Sequence, residues 1–187
     1  TPREHPFIIR PVFQSRIASV IDSFCFVLMP FSTEWSKQVY GDLLKPALES
    51  AGYSCLRSDE SGGQIVTEDI WQRICQAELI VADLTGDNPN VMYEIGIAHT
   101  IGKPIVLLAQ DEIDPPFDVG HHRVHKYENT VSAPSQMQEW LPKVIEDLMQ
   151  EHERRASHEA PLSNPHQAYK ASGRGSGLSS GSVLGSR

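Results

Sequence analysis

Leu79-Ile80-Val81-Ala82-Asp83-Leu84-Thr85-Gly86-Asp87-Asn88-Pro89-Asn90-Val91-Met92-Tyr93-Glu94-Ile95-Gly96-Ile97-Ala98-His99-Thr100-Ile101-Gly102 changes its pattern twice. The apolar run Leu79 to Ala82 has the length and composition of a buried strand and ends in Asp83. A polar turn follows, and Asn88-Pro89 is a helix start, with Asn as the cap and Pro in the first turn. Gly102 ends that helix, and a second apolar run, Ile105 to Ala109, begins almost at once. Strand, helix and strand in roughly 30 residues make a βαβ unit, whose two strands must lie parallel. The unit carries two acids, Asp83 and Glu94, where such folds bind ligands.

Working outward, Phe24 to Met29 is another continuous apolar run, closed by Pro30. Val39, Leu43, Leu44, Ala47 and Leu48 then recur at helical spacing, with Pro46 expected to kink that helix or displace one of its turns. Tyr53 to Arg57 reads as a shorter strand nearer an edge, and Ser58 to Gly63 as a loop. Thr67 is placed to cap a helix over Glu68 to Ala77. Beyond the central unit, Asp111 to Gly120 is a proline-bearing loop and Val124 to Tyr127 a last short strand. Ser135 to about Arg155 is an amphipathic helix, with Pro142 expected in its first turn.

Strands alternating with helices predict an α/β fold, a flavodoxin-like doubly wound sheet of about five mainly parallel strands. The simplest right-handed winding gives the order 2-1-3-4-5. Three regions are expected. Residues 1–22 form an arm, 23–155 the domain, and 156–187 a disordered tail, since ten of residues 173–187 are Gly or Ser.

Composition narrows the function classes. The chain has 187 residues, 40% of them hydrophobic, as one globular domain requires. Its 16 basic and 24 acidic residues give a net charge of −8, and residues 1–155 alone hold 13 basic and 23 acidic, a net of −10. That balance argues against a duplex nucleic-acid partner. No apolar run reaches the length of a membrane span, and Thr1 to Pro6 lack the basic-then-apolar pattern of a signal peptide. Cys25, Cys55 and Cys75 are scattered in or beside apolar segments, so reduced, packed thiols in a cytoplasmic protein are expected. His121, His122 and His125 have no nearby Cys to complete a metal site, and neither metal nor cofactor is expected. Trp35, Trp71 and Trp140 read as core.

In the assumed order the chain reverses between the first and third strands, and ligands bind at the carboxyl ends flanking that point. Those ends are Met29 to Thr33 and Asp83 to Asn90. Met29, Pro30, Phe31, Ser32, Asn88 and Asn90 are therefore candidate substrate-binding residues. Tyr93 is another, able to stack on a base or to anchor the core. The same-face neighbours of Glu94 at helical offsets are Val91, Ala98 and Ile101, all apolar. A carboxylate in an apolar stripe is costly unless it is paired or used, and its pKa should tend upward. Two readings stay open: a reactive Glu94, or one at the stripe's edge paired with a basic side chain. For Asp83 alone, a simple turn-capping role is the stronger reading.

Ala82-Asp83-Leu84-Thr85, Asn88-Pro89-Asn90-Val91-Met92-Tyr93-Glu94-Ile95-Gly96-Ile97-Ala98-His99 and Gly102-Lys103-Pro104 resemble the signature of the nucleoside 2-deoxyribosyltransferase-like superfamily. That superfamily includes nucleoside deoxyribosyltransferases and deoxynucleoside-monophosphate N-glycosidases. Phe26-Val27-Leu28-Met29-Pro30-Phe31, and Phe117-Asp118 through Tyr127-Glu128-Asn129-Thr130, resemble a bacterial branch of it. The likeness covers roughly residues 24–130. It implies that Glu94 is the nucleophile toward an anomeric carbon and that Asp83 assists at the base or sugar. The glycine-rich phosphate loop of the nucleotide N-glycosidases is missing, so a 5′-phosphate requirement is not implied.

The expected activity is cleavage or transfer of an N-glycosidic bond in a nucleoside or nucleotide. Two alternatives stand beside it: an NAD-cleaving effector akin to TIR domains, and a nucleotide-sensing domain without turnover. A homo-oligomer is implied by the resemblance only.

Overall fold

A computed structural model of the chain describes residues 12–13, 19–30, 33–58, 67–110 and 123–158. Five strands, β1 (Ile21–Leu28), β2 (Ser54–Arg57), β3 (Ala77–Asp83), β4 (Ile105–Gln110) and β5 (Val124–Tyr127), form one sheet in the order β2-β1-β3-β4-β5. Every neighbouring pair is parallel. Parallel pairing requires crossovers, and helices supply those between β1 and β4: α1 (Glu34–Gln38) through α2 (Lys45–Ser50), then α3 (Thr67–Gln76) and α4 (Pro89–Thr100). Residues 111–122, which connect β4 to β5, lie outside the described residues. A last helix, α5 (Ala133–His158), follows β5. The chain direction reverses between β1 and β3, as in the winding assumed from the sequence.

Strand alternation sorts the core into two layers. Cys25, Val27, Met29, Leu79, Val81, Val106 and Leu108 project toward Val39, Leu43, Leu44 and Leu48 of the first crossover and toward Met137, Leu141 and Ile145 of α5. Phe24, Phe26, Leu28, Ile80, Ala82, Leu107 and Ala109 face Ile74 of α3 and Val91, Ile95 and Ala98 of α4. The central strands are apolar on both sides because both sides are covered.

Two prolines behave differently from each other. Before Pro46, Val39–Leu44 is a π-helical turn in which the Lys45 N–H reaches back five residues to the Tyr40 carbonyl. The wider turn absorbs the ring and the missing donor, so one turn is displaced and the helix continues. Pro142 does not mark a first turn. The helix starts at Ala133, which puts this proline inside it. The residue whose carbonyl loses its partner is Gln138, which is exposed, so water can take the place of the N–H.

The chain divides into two units, Thr1–His152 and Glu153–Arg187. The sheet belongs to the first; of the second, the described part is the run of α5 to His158, three residues past the expected domain limit. The rest of the expected tail lies outside the described residues, as does most of the arm. Phe13 of the arm is described, and its ring stacks on Trp71 at 5.2 Å between centroids. Trp71 is buried, while Trp35 and Trp140 are half-buried against the core. All three cysteines are free thiols, and burial pushes Cys25 well above its usual range. Among the described residues no helix is long and apolar enough to cross a membrane.

Candidate active site

The candidate site starts where β3 ends. Beyond Asp83 the Leu84 N–H still bonds the Leu108 carbonyl at 2.8 Å, and then the chain turns, with the Asp87 N–H on the Leu84 carbonyl at 3.2 Å. Gly86 occupies the third position of that turn at φ +85°, a left-handed conformation that a side chain would strain. Asn88 then caps α4, its Oδ1 accepting the N–H groups of Asn90 (2.9 Å) and Val91 (3.4 Å). Pro89 takes the first helical position, where its missing N–H costs nothing.

Asp83 is 1% exposed and points to the layer of the first crossover and α5, since its neighbours Ala82 and Leu84 face the other. Its Oδ1 accepts the Thr85 N–H at 2.9 Å and its Oδ2 the Tyr127 hydroxyl at 2.6 Å. Gln110 donates its side-chain amide to the same hydroxyl at 3.4 Å and its backbone N–H to the Thr85 hydroxyl at 3.0 Å. Burial raises the Asp83 pKa, and the hydrogen bonds from Thr85 and Tyr127 offset only part of that. Burial, joined by the charge of Asp83, drives the Tyr127 phenol far upward as well. The turn-capping reading of Asp83 is thus observed, within a network that joins the ends of β3, β4 and β5.

Glu94 comes from the opposite layer, on α4 between the core residues Val91, Ile95 and Ala98. It is 7% exposed, and burial lifts its pKa to about 7. Among the described residues no hydrogen bond or ion pair reaches its carboxylate, and none joins it to Asp83. The two acids belong to one βαβ unit but approach from different faces of the sheet.

The other candidates divide. Asn88 has its Oδ1 engaged as the cap, Asn90 is exposed beside it, and Tyr93 is 57% exposed, so it does not anchor the core. The Met29 side chain is committed to the core and Pro30 is buried. Phe31 and Ser32 lie outside the described residues, as do the Ser61 to Gln64 loop, His121 and His122. His125 stacks on Trp140 at 5.8 Å, and among the described residues no three His, Cys, Asp or Glu side chains are grouped for a metal ion.

Sequence reasoning overlooked four polar residues here. Thr85, Gln110 and Tyr127 make the network around Asp83. Arg57 ends β2 beside Val27 of β1 and is buried with its guanidinium 5.0 Å over the Tyr40 ring. Only Thr85 had a local signal, an Asp followed two residues later by a hydroxyl at a turn. The others depend on strand order.

No protein-family model matches the chain, and no curated protein matches it. Among the 24 chains of solved structures that resemble it are the following two. One is the CMP N-glycosidase BcmB of Clostridium botulinum, 21% identical, with a TM-score of 0.45 over 63% of this chain and 98% of that one. The other is a 2-deoxyribosyltransferase from Leishmania mexicana, 14% identical, with a TM-score of 0.44 over 63% and 97%. Overlaps this loose carry no conclusion about what the present chain does.

Proposed function

We propose that this chain breaks or transfers the N-glycosidic bond of a nucleoside or nucleotide, with Glu94 as nucleophile and Asp83 assisting. One observation carries the reading: Glu94 is a buried carboxylate that no described residue pairs, on a helix beginning at the carboxyl end of a central strand. Burying an unpaired carboxylate is costly and shifts its pKa toward neutrality, which is the condition that suits a group used in chemistry. The motif likeness around Asp83 and Glu94 supports the same roles.

The chemistry balances. The Glu94 carboxylate attacks the anomeric carbon, and the C–N bond breaks with its electron pair going to the base nitrogen, which gains a proton from an acid or water. The glycosyl ester is then opened by water, releasing the sugar, a proton and the carboxylate, or by a second base, giving a new nucleoside. A hydrogen bond from substrate to Asp83 would orient the base or sugar during both steps.

Purified protein incubated with deoxynucleosides, their monophosphates and NAD should release free base from at least one nucleoside or nucleotide, and Glu94→Gln should abolish the release with the fold retained. Release that persists in the variant removes Glu94 from the mechanism. The second reading, binding without turnover, is favoured by the inward engagement of both Asp83 oxygens. Saturable binding with no base released by the wild type would decide for it. Nicotinamide released from NAD would point instead to the NAD-cleaving alternative.

A further inference from the structure

Tyr127 stands at the far edge of the sheet, two strands from Asp83, yet its hydroxyl lies 2.6 Å from Oδ2. Strands two apart are separated by about 9.5 Å, so few side chains are long enough to cross the intervening β4. The crossing is also directional. Gln110 donates into the phenolic oxygen, which turns the phenol's own proton toward Asp83. With Thr85 donating to Oδ1, both carboxylate oxygens accept from the protein, and the torsion of the Asp83 side chain is held from two sides. In its ionised form a carboxylate has about four acceptor positions, so the acceptors left over suit a ligand that donates.

We propose that Tyr127 is the positioning residue for Asp83, holding it as a hydrogen-bond acceptor so that the substrate group it meets is a donor, a base N–H or a sugar hydroxyl. The assignment rests on the proposed function for its substrate, though not for the Tyr127–Asp83 coupling itself. Thr85 and Tyr127 are the groups that act on the Asp83 carboxyl, with Gln110 acting through the phenol. Removing the phenolic donor leaves the carboxylate less stabilised, so Asp83 takes up its proton at higher pH.

The test is Tyr127→Phe, which keeps the ring. Carbon-13 NMR of aspartate-labelled protein, with the Asp83 signal identified by its loss in Asp83→Asn, should show the Asp83 titration midpoint moving upward in Tyr127→Phe. On the substrate that wild type turns over, kcat/KM should fall about tenfold, as the loss of one charge-assisted hydrogen bond predicts. Asp83→Asn and the double variant should then be equally impaired, because Tyr127 acts only through Asp83. An unmoved titration midpoint overturns the proposal. So do losses that add in the double variant, or a loss that follows thermal stability alone. If wild type turns over no nucleoside, the proposed function fails, and the titration still decides whether Tyr127 governs Asp83.

Discussion

Glu94 brings opposite demands together at one residue. As a nucleophile it must be ionised, and burial puts its midpoint at about 7. With a qualifying substrate, kcat/KM should rise with pH, level off above about 7, and show no such limb if Glu94 is not the ionising group. A falling limb centred there would make it an acid instead. The same shift bears on folding. Because the folded pKa is above the usual 4.5, the protonated form is the one the fold favours, and that stability is whole below about pH 4.5 and lost as pH climbs through 7. Glu94→Gln, neutral at every pH, should match wild type near pH 4.5 and exceed it at pH 8 by up to about 3 kcal/mol in urea unfolding. Equal stability at pH 8 would show a carboxylate better solvated than its burial implies. The apolar helical stripe made this residue legible in the sequence. Tyr127 was not legible, because its partner is reached across a third strand.

At the scale of elements, the segment after α4 closes two helices at once. Gly102, at φ +72°, sends its N–H to the His99 carbonyl (3.1 Å), and Lys103 sends its backbone N–H to Ala98 (2.9 Å). This is the pairing that commonly ends a helix on glycine. The Lys103 ammonium meanwhile donates to the carbonyls of Cys75 (2.7 Å) and Ala77 (2.6 Å), where α3 passes into β3. Lys103→Met should therefore cost about 1–3 kcal/mol in chemical denaturation, with hydrogen exchange speeding up at the end of α3. A loss near zero would mean that water replaces the ammonium. Helix ends of this kind were readable from Asn88, Pro89 and Gly102. The place of Pro142 was not, since a proline at a helix start and one inside a long helix look alike without the neighbouring packing.

The whole domain is one sheet between two separate cores. Ile74 packs in the layer of α3 and α4, and Leu44 in the layer of the first crossover and α5. Leu44→Ala should cost about 2–5 kcal/mol and Ile74→Val about 0.5–1.5. With the sheet between them, the double variant should show their sum to within about 0.5 kcal/mol. A larger coupling would mean that the sheet transmits strain between its faces. Strand order was legible because continuous apolar runs demand cover on both faces and right-handed crossovers leave few windings. The polar network at the strand ends was not, because it exists only after that order has been realised.

The outermost strands, β2 and β5, are four residues each. Lys126 is exposed on one and Ser54 on the other, and Arg123, also exposed, immediately precedes β5. Edges so short and polar are poor templates for another strand. Two copies are thus hindered from zipping their sheets into a continuous ten-stranded ribbon, and crowded protein is protected from fibre-like association at its margins.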